Sequence, residues 1–288
     1  MNAAGCEAQE LSLITPDLRL AAQAWGEGDA APVLALHGWL DNAASFAPLA
    51  PWVPGVRMVA LDLPGHGRSE HRPPGILYHF VDFVADVVAA ADALAWERFA
   101  LLGHSLGAAV ASFVAAVVPE RVSRLALIEG LGPLTAAPAD TSAQLAASLR
   151  ERRRLRDKRL PVYASLEEAA RARAAAGQGI TLEAAMALAA RGTRREADGV
   201  RWRSDPRLTV RSPAYLCEEQ VLAVLRCIEA PAALIRAGSG IPHTRPFFAE
   251  RGRQVAHLEV IDLPGGHHLH METPRAVARA LAPHLAER

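Results

Sequence analysis

Short apolar runs alternate along the chain with longer stretches whose apolar positions recur every three or four residues. This is the pattern of buried strands followed by helices with one polar face. Leu11 to Ile14 and Leu18 to Trp25 read as an early hairpin. Val33 to Leu36, Val56 to Leu61, Phe99 to Leu102 and Arg124 to Ile128 read as short buried strands, and Ala232 to Ala237 and Leu258 to Leu263 repeat the signal late in the chain. Between them lie helical stretches at Phe80 to Leu94 and Ala108 to Val118, and Pro274 to Leu285 closes the chain as a helix. Strands alternating with helices predict an α/β fold: a mostly parallel central sheet with helices on both faces. From Pro133 to about Ser212 the pattern turns polar, Arg-rich and helical, with no strand signal. The expected organisation is therefore a core of residues 1–132 and 213–288 with a helical lid inserted over 133–212, and no internal repeat.

Composition narrows this picture. At 288 residues and 51% hydrophobic, the chain can bury one large core plus an insertion, but not two independent domains. Its 31 basic and 31 acidic side chains cancel, so no global field favours nucleic acid or an anionic membrane. The run Arg150, Arg152, Arg153, Arg154, Arg156, Lys158 and Arg159 reads as a solvated helix face, since no stacking aromatics are interleaved. Cys6, Cys217 and Cys227 have neither C-x-x-C nor metal-ligand spacing, which points to free thiols in the cytoplasm and to no metal site. Ala4-Gly5-Cys6 has the end of a lipoprotein cleavage site but no cationic and apolar segment before it, so no leader is expected. No membrane span is expected either, because Asp82, Asp86 and Asp92 interrupt Phe80 to Leu94. Nothing in the pattern indicates an oligomeric state.

The chemistry is concentrated at strand ends. In open α/β sheets ligands bind beyond the carboxyl ends of the strands, and His37, Asp62, Ser105 and Glu129 all fall there. Gly103-His104-Ser105-Leu106-Gly107 lies between an apolar strand and an alanine-rich helix. In that context the pattern is a nucleophile elbow: the serine takes a strained turn that lifts its hydroxyl above the sheet, and Gly103 and Gly107 let strand and helix approach. A serine hydroxyl is a poor nucleophile at neutral pH, so acyl transfer needs an imidazole to accept its proton and a carboxylate to orient that imidazole. The developing oxyanion needs fixed donors, and the Leu106 amide at the helix N-terminus is placed to be one.

His37-Gly38-Trp39-Leu40-Asp41-Asn42, Asp62 to Ser69, Gly103 to Gly107, Glu129 to Pro133 and Gly265 to Pro274 together resemble the α/β-hydrolase fold family, and within it the serine hydrolase-like subfamily, over nearly the whole chain. The resemblance implies the order serine, acid, histidine. It points to His267 as the base, because Gly266 precedes it, Glu272 follows five residues on and Pro274 seven; His257, His268 and His270 are the rivals. Many relatives carry the acid after the strand Ala232 to Ala237, but here Gly238-Ser239-Gly240 follows. Others carry it one strand earlier, where Glu129 stands; Asp262 is the rival. A carboxylate introduced at Ser239 is expected to face the same histidine. The second oxyanion amide is implied to be that of Trp39, with His37 and Gly38 supporting its loop and His104 packed beside the elbow.

Ser105 followed by Leu106, in place of an aspartate followed by tryptophan, disfavours haloalkane dehalogenation, and the missing aspartate also disfavours epoxide hydrolysis. The expected activity is hydrolysis of a small-molecule ester, thioester or lactone through an acyl-serine, carboxylesterase-like and without cofactor. Two readings stay open beside it: a C–C hydrolase or cofactor-free haloperoxidase, and a non-catalytic ligand-binding receptor or scaffold.

Overall fold

The computed structural model describes residues 7–155, 160–176, 179–245 and 247–285. The Ala4-Gly5-Cys6 stretch, and Arg156, Lys158 and Arg159 of the basic run, lie outside them. Among the described residues, eight strands form one sheet in the order β1 (Gln9–Ile14), β2 (Arg19–Trp25), β4 (Val56–Leu61), β3 (Ala31–Leu36), β5 (Phe99–His104), β6 (Val122–Ile128), β9 (Ala232–Ala237) and β10 (Leu258–Leu263). β1 pairs with β2, and β2 with β4, in antiparallel register; every other pairing in this sheet is parallel.

The inner strands β3, β4, β5 and β9 are largely apolar on both sides because both faces are covered, whereas the edge strand β10 exposes Glu259 and Asp262. One face packs α1 (Phe80–Ala93), α2 (Leu106–Val117) and α6 (Glu218–Leu225) through Val87, Val110, Val114 and Val221, all fully buried. The other packs α10 (Pro274–Leu281) through Val277 and Leu281. The remaining short helices are α7 (Ile241–Thr244), α8 (Phe247–Gln254) and α9 (Leu269–Glu272).

Between β6 and α6 the chain leaves the sheet. It forms α3 (Thr141–Leu155), α4 (Leu166–Ala175) and α5 (Leu182–Gly192), each rich in alanine or arginine. Ala170, Ala185 and Leu188 make a small separate core there, joined by Met271 from α9. The expectation that this segment carries no strand is corrected: β7 (Thr193–Glu196) and β8 (Gly199–Trp202) form an antiparallel hairpin. Its strands are charged and half-exposed, so no apolar alternation advertises them. The two-residue turn is Ala197-Asp198, and Gly199, at φ 146°, opens β8, so an Asp followed by Gly at the end of the turn was the usable signal. Arg150, Arg152, Arg153 and Arg154 lie exposed on α3. No helix among the described residues is long and apolar enough to cross a membrane.

Candidate active site

β3, β5, β6 and β10 end at the same edge of the sheet, and their following loops supply the site. Ser105 turns the chain directly from β5 into α2 with φ 53° and ψ −112°. Such a conformation costs a non-glycine residue of order 1–3 kcal/mol and persists only where its surroundings impose it. The surroundings do so here. The Ser105 amide donates to Ile128 O at 2.9 Å. A Cβ on Gly103 would lie 2.5 Å from the Ala108 Cα, and one on Gly107 would lie 1.9 Å from Leu36 O, so only glycine at both positions lets α2 sit this close to β5 and β3.

β6 ends in the same way, with Glu129 at φ 58° and its side chain buried. Its carboxylate accepts the Ala237 amide on Oε1 at 2.6 Å and the Ile241 amide on Oε2 at 2.8 Å. Oε2 also accepts from His267 Nδ1 at 3.1 Å. Because the carboxylate can only accept, the imidazole proton sits on Nδ1 and leaves Nε2 as an acceptor. Ser105 Oγ stands 3.0 Å from that Nε2. The structure thus brings Glu129, His267 and Ser105 into one line of hydrogen bonds.

It does not bring the rivals there. Asp262 is exposed on β10 and engaged by Arg236 at 2.7 and 2.8 Å, and His257 is exposed ahead of β10. His268 and His270 are buried beside the site: His270 Nε2 meets Ser45 Oγ at 2.7 Å, and His268 Nε2 lies 3.4 Å from Asp41 Oδ2. Asp62 braces the turn after β4, accepting the Ala43 and Arg68 amides at 2.7 Å each. Ser239 is exposed and its hydroxyl donates to Gly265 O at 2.8 Å, so it does not face His267.

The loop after β3 is held from beneath. His37 donates through Nδ1 to Gly38 O at 2.7 Å and accepts the Leu63 amide on Nε2 at 3.0 Å. A second ring proton would point at that amide. His104 Nε2 donates to the His267 carbonyl at 2.9 Å, which fixes the base's loop against the elbow. Leu106 is the first residue of α2, where an amide has no carbonyl of its own helix to reach. The Trp39 indole donates to Leu208 O at 3.2 Å, and Asn42 Nδ2 to Leu188 O at 2.9 Å, tying this loop to the segment between β6 and α6.

Sequence reasoning gave no role to Asp41 or Arg173. Asp41 is fully buried two residues after Trp39, and Arg173 on α4 donates to its Oδ1 at 2.8 Å. Burial opposes the charge of Asp41, yet His268, then Arg173 and His104, hold its carboxyl well below the usual carboxylate range. A polar pair, Asp41-Asn42, directly behind an apolar strand and its turn was a signal for Asp41. Arg173 had none, since its partner is 132 residues away. Among the described residues no group of three or more His, Cys, Asp or Glu side chains is placed to hold a metal ion.

The buried histidines make stability depend on pH. Burial pushes His37 down to about 4 and His66 and His270 down to about 3, and it holds His104 well below 6.5. Below pH 6.5 the unfolded chain takes up protons that these native rings refuse, so stability is lost as pH falls from there toward the native values. Each histidine contributes about 1.4 kcal/mol of loss between pH 7.5 and 5.5, or about 4 kcal/mol for the three with stated values. Urea unfolding midpoints should therefore drop steeply across that interval, and a flat profile would refute the assignment of neutral buried rings.

A family model described as the alpha/beta hydrolase fold matches residues 31–213. Serine hydrolase-like protein 2 of Homo sapiens is 32% identical over 99% of this chain and 96% of its own. The crystal structure of a hypothetical protein from Pseudomonas aeruginosa PAO1 superimposes with a TM-score of 0.90, at 44% identity over 96% of this chain and 97% of that one. A thioesterase domain from the curacin biosynthetic pathway superimposes with a TM-score of 0.84, at 28% identity over 96% and 99%.

Proposed function

The chain belongs to the α/β-hydrolase fold family, within its serine hydrolase-like group, and from this we propose that it is a serine hydrolase cleaving a carboxylic ester or thioester through an acyl-serine intermediate. The observation that carries the reading is the unbroken line from the Glu129 carboxylate through His267 to Ser105 Oγ, at 3.1 and 3.0 Å, at the carboxyl edge of the sheet. As Ser105 Oγ attacks the substrate carbonyl carbon, its proton passes to His267 Nε2, and Glu129 stabilises the imidazolium that forms. Negative charge moves onto the carbonyl oxygen, which the Leu106 and Trp39 amides receive. His267 then returns the proton to the departing alcohol or thiol. Water, deprotonated by the same nitrogen, attacks the acyl-enzyme and releases acid and free serine.

Residues 133–212 serve as a cap over this site, held by the contacts of Leu188 and Leu208 to the loop after β3. Free Cys217 and Cys227 suit a cytoplasmic location. The thioesterase likeness supports the thioester branch, and the ester branch needs the same groups. Two measurements test the reading: labelling of Ser105 by a small fluorophosphonate, read by peptide mass, and turnover of a panel of p-nitrophenyl esters, acyl thioesters and lactones. Labelling with turnover is expected. Neither labelling nor turnover would leave a non-catalytic ligand-binding protein.

A further inference from the structure

The turn that carries the proposed oxyanion amide of Trp39 is strained. Gly38 O accepts the Asp41 amide at 3.1 Å, which closes a β-turn with Trp39 and Leu40 at its two central positions. Of these two only Leu40 has a positive φ, 62°, so the turn is of type II. Glycine or asparagine fills that position without strain, whereas a leucine stays left-handed only where its surroundings impose it. Left to itself, the turn would relax to type I. The two types differ by reversal of the central peptide, here the Trp39–Leu40 plane that directly follows the Trp39 amide.

What imposes the strained form lies beneath it. Asp41 is buried, and its carboxylate folds back under the turn: a Cβ built on Gly38 would lie 3.1 Å from Asp41 Oδ2 and 2.9 Å from His104 Nδ1. Arg173 Nη2, on α4 of the cap, donates to Oδ1 at 2.8 Å, and Oδ2 lies 3.4 Å from His268 Nε2. One oxygen is thereby fixed by the cap and the other faces the loop that carries His267. The Trp39 indole and the Asn42 side chain also reach cap carbonyls, but from either side of Leu40. Releasing Asp41 would strand a guanidinium that is only 10% exposed, and an unpaired buried charge costs more than one left-handed leucine.

We infer that Asp41 is a positioning residue of the oxyanion hole: held from the cap by Arg173, its carboxylate keeps the Trp39–Leu40 turn in the form that presents the Trp39 amide, so that cap and core build the hole together. The inference rests on the acyl-serine reading above. It makes the cap part of the rate-determining machinery and not only a cover.

The test is turnover of p-nitrophenyl acetate, read well below the unfolding temperature of each variant. Asp41→Ala should lower kcat about 10–100-fold with KM within about twofold, the pattern of a displaced oxyanion donor. Asp41→Asn keeps an oxygen for Arg173 and should stay about fivefold or more above Asp41→Ala in kcat. Leu40→Gly added to Asp41→Ala should recover kcat about fivefold or more, because glycine takes a positive φ freely; in the wild-type background, where the turn is already held, it should not raise kcat. A merely structural role would lower the unfolding temperature of Asp41→Ala without touching kcat, and Leu40→Gly would recover nothing. Where Asp41→Ala folds poorly, Asp41→Ala with Arg173→Met removes the stranded cation and Arg173→Met alone reads the cap's half of the link; both should show the same loss in kcat. A folded Asp41→Ala or Arg173→Met protein with kcat within about twofold of wild type, or a loss that Leu40→Gly does not relieve, would overturn the positioning role. Fluorophosphonate labelling of wild-type Ser105 separates these results from failure of the acyl-serine reading: without labelling or turnover in the wild-type protein, both fall.

Discussion

Replacing Ser105 by alanine is expected to lower turnover of any cleaved ester about 10³-fold or more while leaving thermal unfolding unchanged. The reason for the loss is covalent. Without Oγ there is no acyl-enzyme, and only the oxyanion donors and substrate binding remain to assist water. The fold should not notice, because Ser105 is only partly buried and its hydrogen bond to His267 is replaceable by water, so the stability change should stay within about 0.5 kcal/mol. His267→Ala should cost as much as Ser105→Ala, and the double variant should be no worse than either, since the two groups act as one unit. His268→Ala and His270→Ala should reduce activity less, as their nitrogens face Asp41 and Ser45 and not the nucleophile. Residual activity above a few per cent in Ser105→Ala would remove the serine from the mechanism. Equal losses at His267, His268 and His270 would mean that the hydrogen-bonded line is not what selects the base.

How far the site could be read from the sequence follows from the range of the forces involved. The elbow was legible because its marks in the sequence are local: Gly103, Gly107 and the apolar strand before them all lie within a few residues, even though the backbone that Gly107 makes room for belongs to Leu36 on β3. Strands Val56–Leu61, Ala232–Ala237 and Leu258–Leu263 were legible to the residue, because each is a short stretch rich in aliphatic residues followed at once by turn residues, Asp62 to Gly65, Gly238 to Gly240 and Pro264 to Gly266. The β7–β8 hairpin was not, since it is held by backbone pairing between charged strands rather than by an apolar face. Neither was the ion pair of Arg173 with Asp41, for one of many cap arginines gives no sign of which distant carboxylate it meets. The turn after β9 was half legible. Its lack of a carboxylate was plain, but the direction in which its side chains point was not.

That direction shapes the expected result for Glu129. Glu129→Gln should lower kcat by about 10²–10⁴-fold, because an amide cannot stabilise the imidazolium and can hold the imidazole in the wrong tautomer. KM should move little. The variant should also lose stability, because the carboxylate accepts two backbone amides on separate oxygens and a glutamine leaves one of them facing an NH2, at a cost of about 1–3 kcal/mol. Rates must therefore be taken well below its unfolding temperature. Restoring a carboxylate from the neighbouring turn calls for Gly240, not Ser239. A Cβ built on Gly240 would lie 2.0 Å from Glu129 Oε2, so its side-chain direction leads straight to the spot the carboxylate occupies, whereas the Ser239 hydroxyl reaches Gly265 O. With φ −88° and ψ 179°, Gly240 already has a backbone that aspartate adopts freely, while glycine at 129 suits the φ of 58°. Glu129→Gly with Gly240→Asp should therefore recover at least tenfold in kcat over Glu129→Gly alone, and Ser239→Asp in the same background should recover none. Near-wild-type kcat in folded Glu129→Gln, with a large loss on Asp262→Asn, would show that the carboxylate beside His267 is not the group that orients it.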